Sequence, residues 1–226
     1  MDRRSVASAI EQSVLKPTAT AEEVRGACRE AADYGFYGVC VNPIHTATAR
    51  AAADSMKTLG KTKTKIRIVT VIAFPLGSAS PAAKVYEAMR AAQDGSDELD
   101  IVMAIPLAME GDWRGVEKDI SDVVAATPGL GHKVIIETAY LKGPQEMEQA
   151  VLAALRAGAS FIKTSTGHSP KGATVQDVVA LKRIVGGRAG IKAAGGIRTP
   201  EAAIELIQAG AARLGTSSGV QIIEGL

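Results

Sequence analysis

The chain has 226 residues, 46% of them hydrophobic and 22% charged, the proportions of an ordinary globular protein with room for one large core. Twenty-six basic residues against 24 acidic ones leave a formal net charge of +2, which gives no basis for binding nucleic acid or a membrane surface. No apolar run reaches the length of a membrane span, and the N-terminal MDRRSVASAIEQSVLKP is too weakly apolar for a signal peptide, so a cytoplasmic location is expected.

In chain order, the first candidate strand is the short SVLKP, residues 13–17. TAEEVRGACREAADYG reads as a helix, with Thr20 and Glu23 in capping-box spacing and Gly35 as its stop. The strand YGVCVN follows, and later the longer apolar run KIRIVTVIAFP. SPAAKVYEAMRAAQDG has Ser80 as N-cap, Pro81 at the first helical position and Gly95 at its end. ELDIVMAI and HKVIIETAY are the next strands. A helix from Pro144 to Gly158 precedes SFIKTS, and GIKAAGG follows it. A helix from Thr199 to Gly210 precedes ARLGTSS, and GTSSGVQIIEGL reads as a strand end running into a short final helix.

About eight strand-then-helix units over this length predict an α/β fold, a single-domain (β/α)8 TIM barrel spanning residues 1–226. The strands are near-continuous apolar runs, as parallel strands covered by helices should be. An open doubly wound sheet is the rival, but no G-x-G-x-x-G follows the first strand. Polar residues also mark many strand ends: Asn42, Asp100, Glu137, Lys163, Lys192 and Ser217. A barrel gathers such ends around one axis.

FIKTSTG puts Lys163 inside an apolar run, and GIKAAGGIR does the same with Lys192 on the next strand. A lysine in such a run is costly unless its ammonium finds water, a partner or a chemical task. Both lysines sit where barrel enzymes carry their chemistry, and Asp100 lies two strands from Lys163. Free lysine, with a pKa near ~10.4, is protonated at neutral pH; burial and a second ammonium lower that value. One lysine could then form a Schiff base while the other lysine and the aspartate move protons. The plainer reading is a salt-bridge network that only holds the barrel together, with Glu137 as the lysines' partner. No metal is expected: Cys28 and Cys40 fit no zinc motif, and His45, His132 and His168 lie far apart in sequence. No cofactor is expected either.

Small-residue turns follow the last three strands: TSTGH with Gly167, AGGIRTP with Gly195, Gly196 and Arg198, and GTSSG with Ser217 and Ser218. Such turns let backbone N–H groups approach an anion, and the loops after the seventh and eighth strands are the usual phosphate site of this fold. A phosphorylated small molecule is the expected ligand.

FIKTSTG, IKAAGGIRT, GTSSG, ELDIVMA, VIIET, VCVNP, VIAFPLG and SVLKP resemble the motifs of the 2-deoxyribose-5-phosphate aldolase family, from about residue 11 to the C-terminus. The resemblance implies a class I aldolase that reversibly cleaves 2-deoxy-D-ribose 5-phosphate to D-glyceraldehyde 3-phosphate and acetaldehyde, in deoxynucleoside breakdown. It makes Lys163 the Schiff-base lysine, Lys192 the residue that perturbs it and shuttles protons, and Asp100 the acid–base partner. It carries phosphate binding to Gly167, Gly195, Gly196, Ser217, Ser218 and Arg198, and sets Cys40 near the substrate pocket, where no chemistry requires it and the role expected of it is a small buried hydrophobe. The partners it implies are phosphosugars and aldehydes, with a homodimer as the assembly. Three positions depart from the family pattern. Glu11-Gln12-Ser13 stands for Asp-x-Thr, so Glu11 is expected at the substrate hydroxyls. Ala73 replaces a common glycine, and His168 stands where members vary. The chain also ends at Leu226 without the longer tail and terminal tyrosine of some members, which implies slower turnover or water in that role. Two alternatives stay open: a Schiff-base barrel acting on a ketose phosphate, and a phosphosugar-binding protein without turnover.

Overall fold

Eight parallel strands carry the architecture of the computed structural model, which describes residues 1–62 and 64–226: β1 (Ile10–Val14), β2 (Gly38–Val41), β3 (Arg67–Ile72), β4 (Glu98–Val102), β5 (Gly131–Ile135), β6 (Phe161–Lys163), β7 (Gly190–Ala194) and β8 (Arg213–Thr216). Each pairs with the next in sequence, and β8 pairs back onto β1, so the sheet closes. Outside lie α1 (Arg3–Ala7), α2 (Ala21–Tyr34), α3 (Thr46–Thr58), α4 (Pro81–Gln93), α5 (Ile105–Glu110), α6 (Trp113–Ala126), α7 (Pro144–Arg156), α8 (Val175–Val185), α9 (Pro200–Ala209) and α10 (Gly219–Glu224). The expected (β/α)8 barrel is the observed fold.

The helices form where their ends and faces dictate. In α2 the Thr20 hydroxyl accepts from the Glu23 N–H while the Glu23 carboxylate accepts from the Thr20 N–H, so two orphan donors are met reciprocally. Gly35, at φ +74°, turns the chain out of the helix. Val24, Ala27, Cys28, Ala31 and Ala32 are buried, an i, i+3, i+4, i+7, i+8 stripe laid on the strands. Ser80 precedes α4 without a side-chain cap, leaving Pro81 as the start signal.

The first strand begins earlier than the apolar pattern suggests. It covers Ile10–Val14 rather than residues 13–17, and so includes Glu11 and Gln12. Period-two alternation in β1 turns Glu11 and Ser13 into the barrel, in register with Gly38 and Cys40 of β2. Cys40 pairs with Val69, Val71 with Asp100, Asp100 with Lys133, and Lys163 with Lys192. The barrel interior is therefore apolar on the β2–β3 side and ionic on the β4–β7 side.

Candidate active site

Six charges, five of them buried, meet inside the barrel. The ammonium of Lys163, the last residue of β6, lies 2.7 Å from Asp100 Oδ2. Lys192 Nζ donates to the same oxygen at 2.6 Å and also to Glu11 Oε2. Lys133 Nζ is 3.1 Å from Asp100 Oδ1 and 2.5 Å from Glu98 Oε2, with Glu11 Oε1 at 3.6 Å. Glu98 accepts in turn from the Tyr37 hydroxyl. Three ammoniums thus face three carboxylates, and the cluster is neutral. Gly215 leaves room for it: a Cβ there would lie 3.1 Å from Lys192 Cε.

This balance sets the protonation states. Burial opposes charge on Asp100, but the ammoniums of Lys133, Lys163 and Lys192 outweigh it and hold the carboxyl well below the usual carboxylate range. Burial likewise opposes charge on Lys192, and Asp100 and Glu11 overcome it, holding that ammonium above the ordinary lysine value. Lys133 is held up in the same way, against burial, chiefly by Asp100 and Glu11. The expected partner of the lysines, Glu137, is elsewhere. Its carboxylate accepts from the Thr166 N–H at 3.1 Å, the Thr166 hydroxyl at 2.5 Å and the Ser169 hydroxyl at 2.8 Å. Lys192, expected to act on Lys163 as a second ammonium, has its own charge met by two carboxylates.

Above the cluster, at the C-terminal ends of the strands, opens a cavity of about 550 Å³. Lys163 reaches it, whereas Lys192, Lys133 and Asp100 lie beneath it and are not among its walls. The last three βα loops wall one side with Gly167, Gly195, Gly196, Arg198 and Ser217. Among the described residues, the N–H groups of Gly167, Gly195, Gly196 and Ser217 meet no protein acceptor. The loops after β6 and β7 touch backbone to backbone: a Cβ on Gly195 would stand 3.1 Å from Gly172 Cα and 3.2 Å from Gly167 Cα. Only glycine permits that approach together with φ +92° at Gly195. Lys16, Glu23 and Glu30 line the side toward α2. The Phe74 ring meets His168 edge-on, and Lys163 Nζ lies 6.0 Å from the Phe74 centroid.

Three residues expected at the substrate are placed differently. Glu11 is fully buried and pairs with Lys192, so its longer side chain serves the ion cluster rather than the cavity wall. Cys40 is also buried outside the cavity, 3.9 Å from Asp100 Oδ2, and burial pushes its thiol up to about 11. Ser218 faces a neighbouring crevice beside Gln12 and Glu30, and its N–H donates to Thr216 Oγ1 at 2.9 Å. Sequence reasoning missed Lys133, Glu98 and Gln12. Gln12 receives the Gly219 N–H at 3.1 Å and donates to Glu30 at 2.7 Å, tying α10 and α2 to β1. The signal for Lys133 and Glu98 was alternation: with Asp100 they occupy every second position of adjoining strands, hence one face.

Such a cluster can exchange protons with Lys163 beneath a cavity large enough for a sugar phosphate. The description of the DeoC/LacD family of aldolases matches residues 1–225. The deoxyribose-phosphate aldolase of Thermococcus kodakarensis is 47% identical over 227 residues, covering 100% of this chain and 98% of that protein. That of Deinococcus radiodurans is 45% identical over 221 residues, covering 98% and 96%. Among solved structures, the tetrameric deoxyribose phosphate aldolase from Aeropyrum pernix superposes with a TM-score of 0.88 at 34% identity, covering 99% of this chain and 91% of that one. The chain belongs to the DeoC/LacD family of aldolases.

Proposed function

We propose that the protein is a class I aldolase that reversibly cleaves 2-deoxy-D-ribose 5-phosphate to D-glyceraldehyde 3-phosphate and acetaldehyde, with residues 1–226 as one catalytic domain. The observation that carries this reading is the position of Lys163: it ends β6 at the floor of the cavity, 2.7 Å from Asp100, with the glycine loops alongside. The substrate phosphate lies against the N–H groups of Gly167, Gly195, Gly196 and Ser217, with Arg198 at the rim. Ser218 supports that wall from behind.

The steps follow from the geometry. Lys163 Nζ passes a proton to Asp100, 2.7 Å away, and attacks C1 of the open-chain sugar; loss of water leaves an iminium. The iminium draws electrons from the C2–C3 bond as the C3 hydroxyl gives up its proton. That bond breaks, glyceraldehyde 3-phosphate departs and an enamine remains on Lys163. Protonation at C2 and attack of water on the regenerated iminium release acetaldehyde and the free amine. Asp100 accepts the protons and Lys192 returns them, directly or through a water, since Asp100 Oδ2 lies 2.7 Å from Lys163 Nζ and 2.6 Å from Lys192 Nζ. Cys40 needs no chemical role, since a buried thiol with its pKa pushed up to about 11 is not a nucleophile at neutral pH.

The proposal extends to deoxyribose phosphate catabolism in the cytoplasm and to a homodimer. Among the described residues no helix is long and apolar enough to cross a membrane. Light scattering tests the assembly against the 23.4 kDa chain mass. The activity itself is tested by enzymatic detection of both products from 2-deoxyribose 5-phosphate. Wild-type turnover that disappears in Lys163→Leu, with the unfolding transition retained, is the expected result. Turnover persisting in Lys163→Leu refutes the assignment of the nucleophile. Tight binding of the sugar phosphate by the wild type without turnover would favour the binding-protein reading instead.

A further inference from the structure

Glu137 is a buried carboxylate beside the site that the proposed reaction does not use. It is 1% exposed and, unusually for a residue with a side chain, sits in the left-handed region at φ +46°, ψ +71°. The chain is fixed on both sides of it: the N–H groups of Ile136 and Thr138 donate to the carbonyls of Lys163 and Thr164 at 3.1 and 2.9 Å. The unusual φ therefore re-aims one side chain without breaking the pairing toward β6. The carboxylate turns to the loop after β6 and accepts three hydrogen bonds there, from the Thr166 N–H, the Thr166 hydroxyl and the Ser169 hydroxyl. The Thr166 hydroxyl accepts the His168 N–H at 3.1 Å, closing a tight turn around Gly167. The far end of the same loop is held by Lys171, whose ammonium reaches Asp177 at 2.9 Å. Strained backbone that survives in a fold is commonly held there because it positions something.

We propose that Glu137 is a positioning residue for recognition of the phosphoryl group. It holds residues 166–169 so that Gly167 presents its N–H to the cavity and packs against Gly195 of the next loop, where a Cβ added at Gly167 would stand 3.5 Å from the Gly195 Cα. The dianion of the substrate is then met by two glycine loops locked together. Schiff-base chemistry at Lys163 draws instead on Asp100 and Lys192, which Glu137 does not touch. This inference rests on the reading of the cavity as a sugar-phosphate site, and it separates two quantities that a merely structural role would move together.

The test compares 2-deoxyribose 5-phosphate with unphosphorylated 2-deoxyribose as substrates of wild type, Glu137→Gln and Ser169→Ala. The glutamine keeps the shape but replaces one acceptor oxygen by a donor aimed at donors. Its KM for the phosphorylated sugar should rise roughly tenfold or more, while kcat/KM for the unphosphorylated sugar stays within about threefold of wild type. Ser169→Ala removes one hydroxyl, shared between Glu137 and the Lys171 carbonyl, and leaves Glu137 in place, so it should shift the same KM by roughly threefold and guards against misfolding of the first variant. Calorimetric titration with inorganic phosphate reads the loop without turnover and should weaken in both variants. Parallel losses on the two sugars, or unchanged phosphate affinity in both variants, would overturn the role of Glu137. A wild type inactive on both sugars would overturn the functional reading instead, and the phosphate titration would still decide the role of Glu137.

Discussion

Lys133→Met is the sharpest perturbation of the ion cluster. Methionine keeps most of the side chain's length and removes only the charge from a group 1% exposed. Breaking a buried ion pair by deleting one partner costs about 3–5 kcal/mol, because the other charge stays behind in low dielectric. Asp100 keeps Lys163 and Lys192, so it is not orphaned. The uncompensated charge falls on Glu98, which retains the Tyr37 hydroxyl, and its side chain is 14% exposed. These two features put the expected cost at the lower end, about 3 kcal/mol, or a fall in Tm of roughly 6–12 °C for a domain of this size. Adding Glu98→Gln should return about half of that, because it removes the orphaned carboxylate. Urea unfolding of the two single variants, the double variant and wild type gives the coupling directly. A Lys133→Met cost under about 1 kcal/mol, or no recovery in the double variant, would refute the view of a balanced cluster in which each charge depends on the others.

Three further predictions concern the ion cluster, the two thiols and the phosphate wall. Asp100 is held below its ordinary 3.8, so its contribution to stability is complete above that value and is lost as pH falls through the lower folded value. Lys133 and Lys192 are held above 10.5, so theirs is complete below 10.5 and lost as pH rises through the higher folded values. Their combined contribution should therefore be flat across the neutral range, and Lys133→Met should move the acid edge to higher pH; an acid edge unchanged in urea unfolding would contradict the assignment. Burial pushes both Cys28 and Cys40 up to about 11, so Ellman's reagent should find no fast thiol in the native protein at pH 8, and prompt labelling of either would show the barrel wall to be open. Gly195→Ala places a Cβ 3.1 Å from Gly172 Cα at φ +92°, so it should weaken the sugar phosphate by roughly tenfold in KM and lower the melting temperature by roughly 2–12 °C; unchanged KM would remove Gly195 from the phosphate wall.

The barrel was legible because parallel strands buried on both faces read as apolar runs, and because Thr20, Glu23, Gly35 and Pro81 announce helix ends locally. Lys163 and Lys192 were legible because a cation in such a run needs a reason. The first strand was not, since Glu11 and Gln12 broke the apolar pattern that located the others. Glu11 belongs inside only because Lys192 waits there, and that pairing spans nearly the whole sequence. Lys133 escaped for the same reason: its partners lie on other strands, and only the register with Asp100 shows where its charge is met. Glu137 was visible as a polar strand end, but its backbone conformation, and hence the direction of its carboxylate, is decided by tertiary packing. Nor does the sequence separate Ser217 from Ser218; the Thr216 hydroxyl, by taking the Ser218 N–H, leaves Ser217 to the cavity.

The measurement that bears most directly on the central claim is covalent trapping. The wild-type chain is incubated with 2-deoxyribose 5-phosphate and sodium borohydride, digested and mapped by mass spectrometry. The account predicts a reduced adduct on Lys163 and none on Lys133 or Lys192, because only Lys163 lines the cavity while the other two lie beneath it with their charges met by carboxylates. An adduct on Lys192, or none on any lysine under conditions where the sugar phosphate turns over, would contradict it.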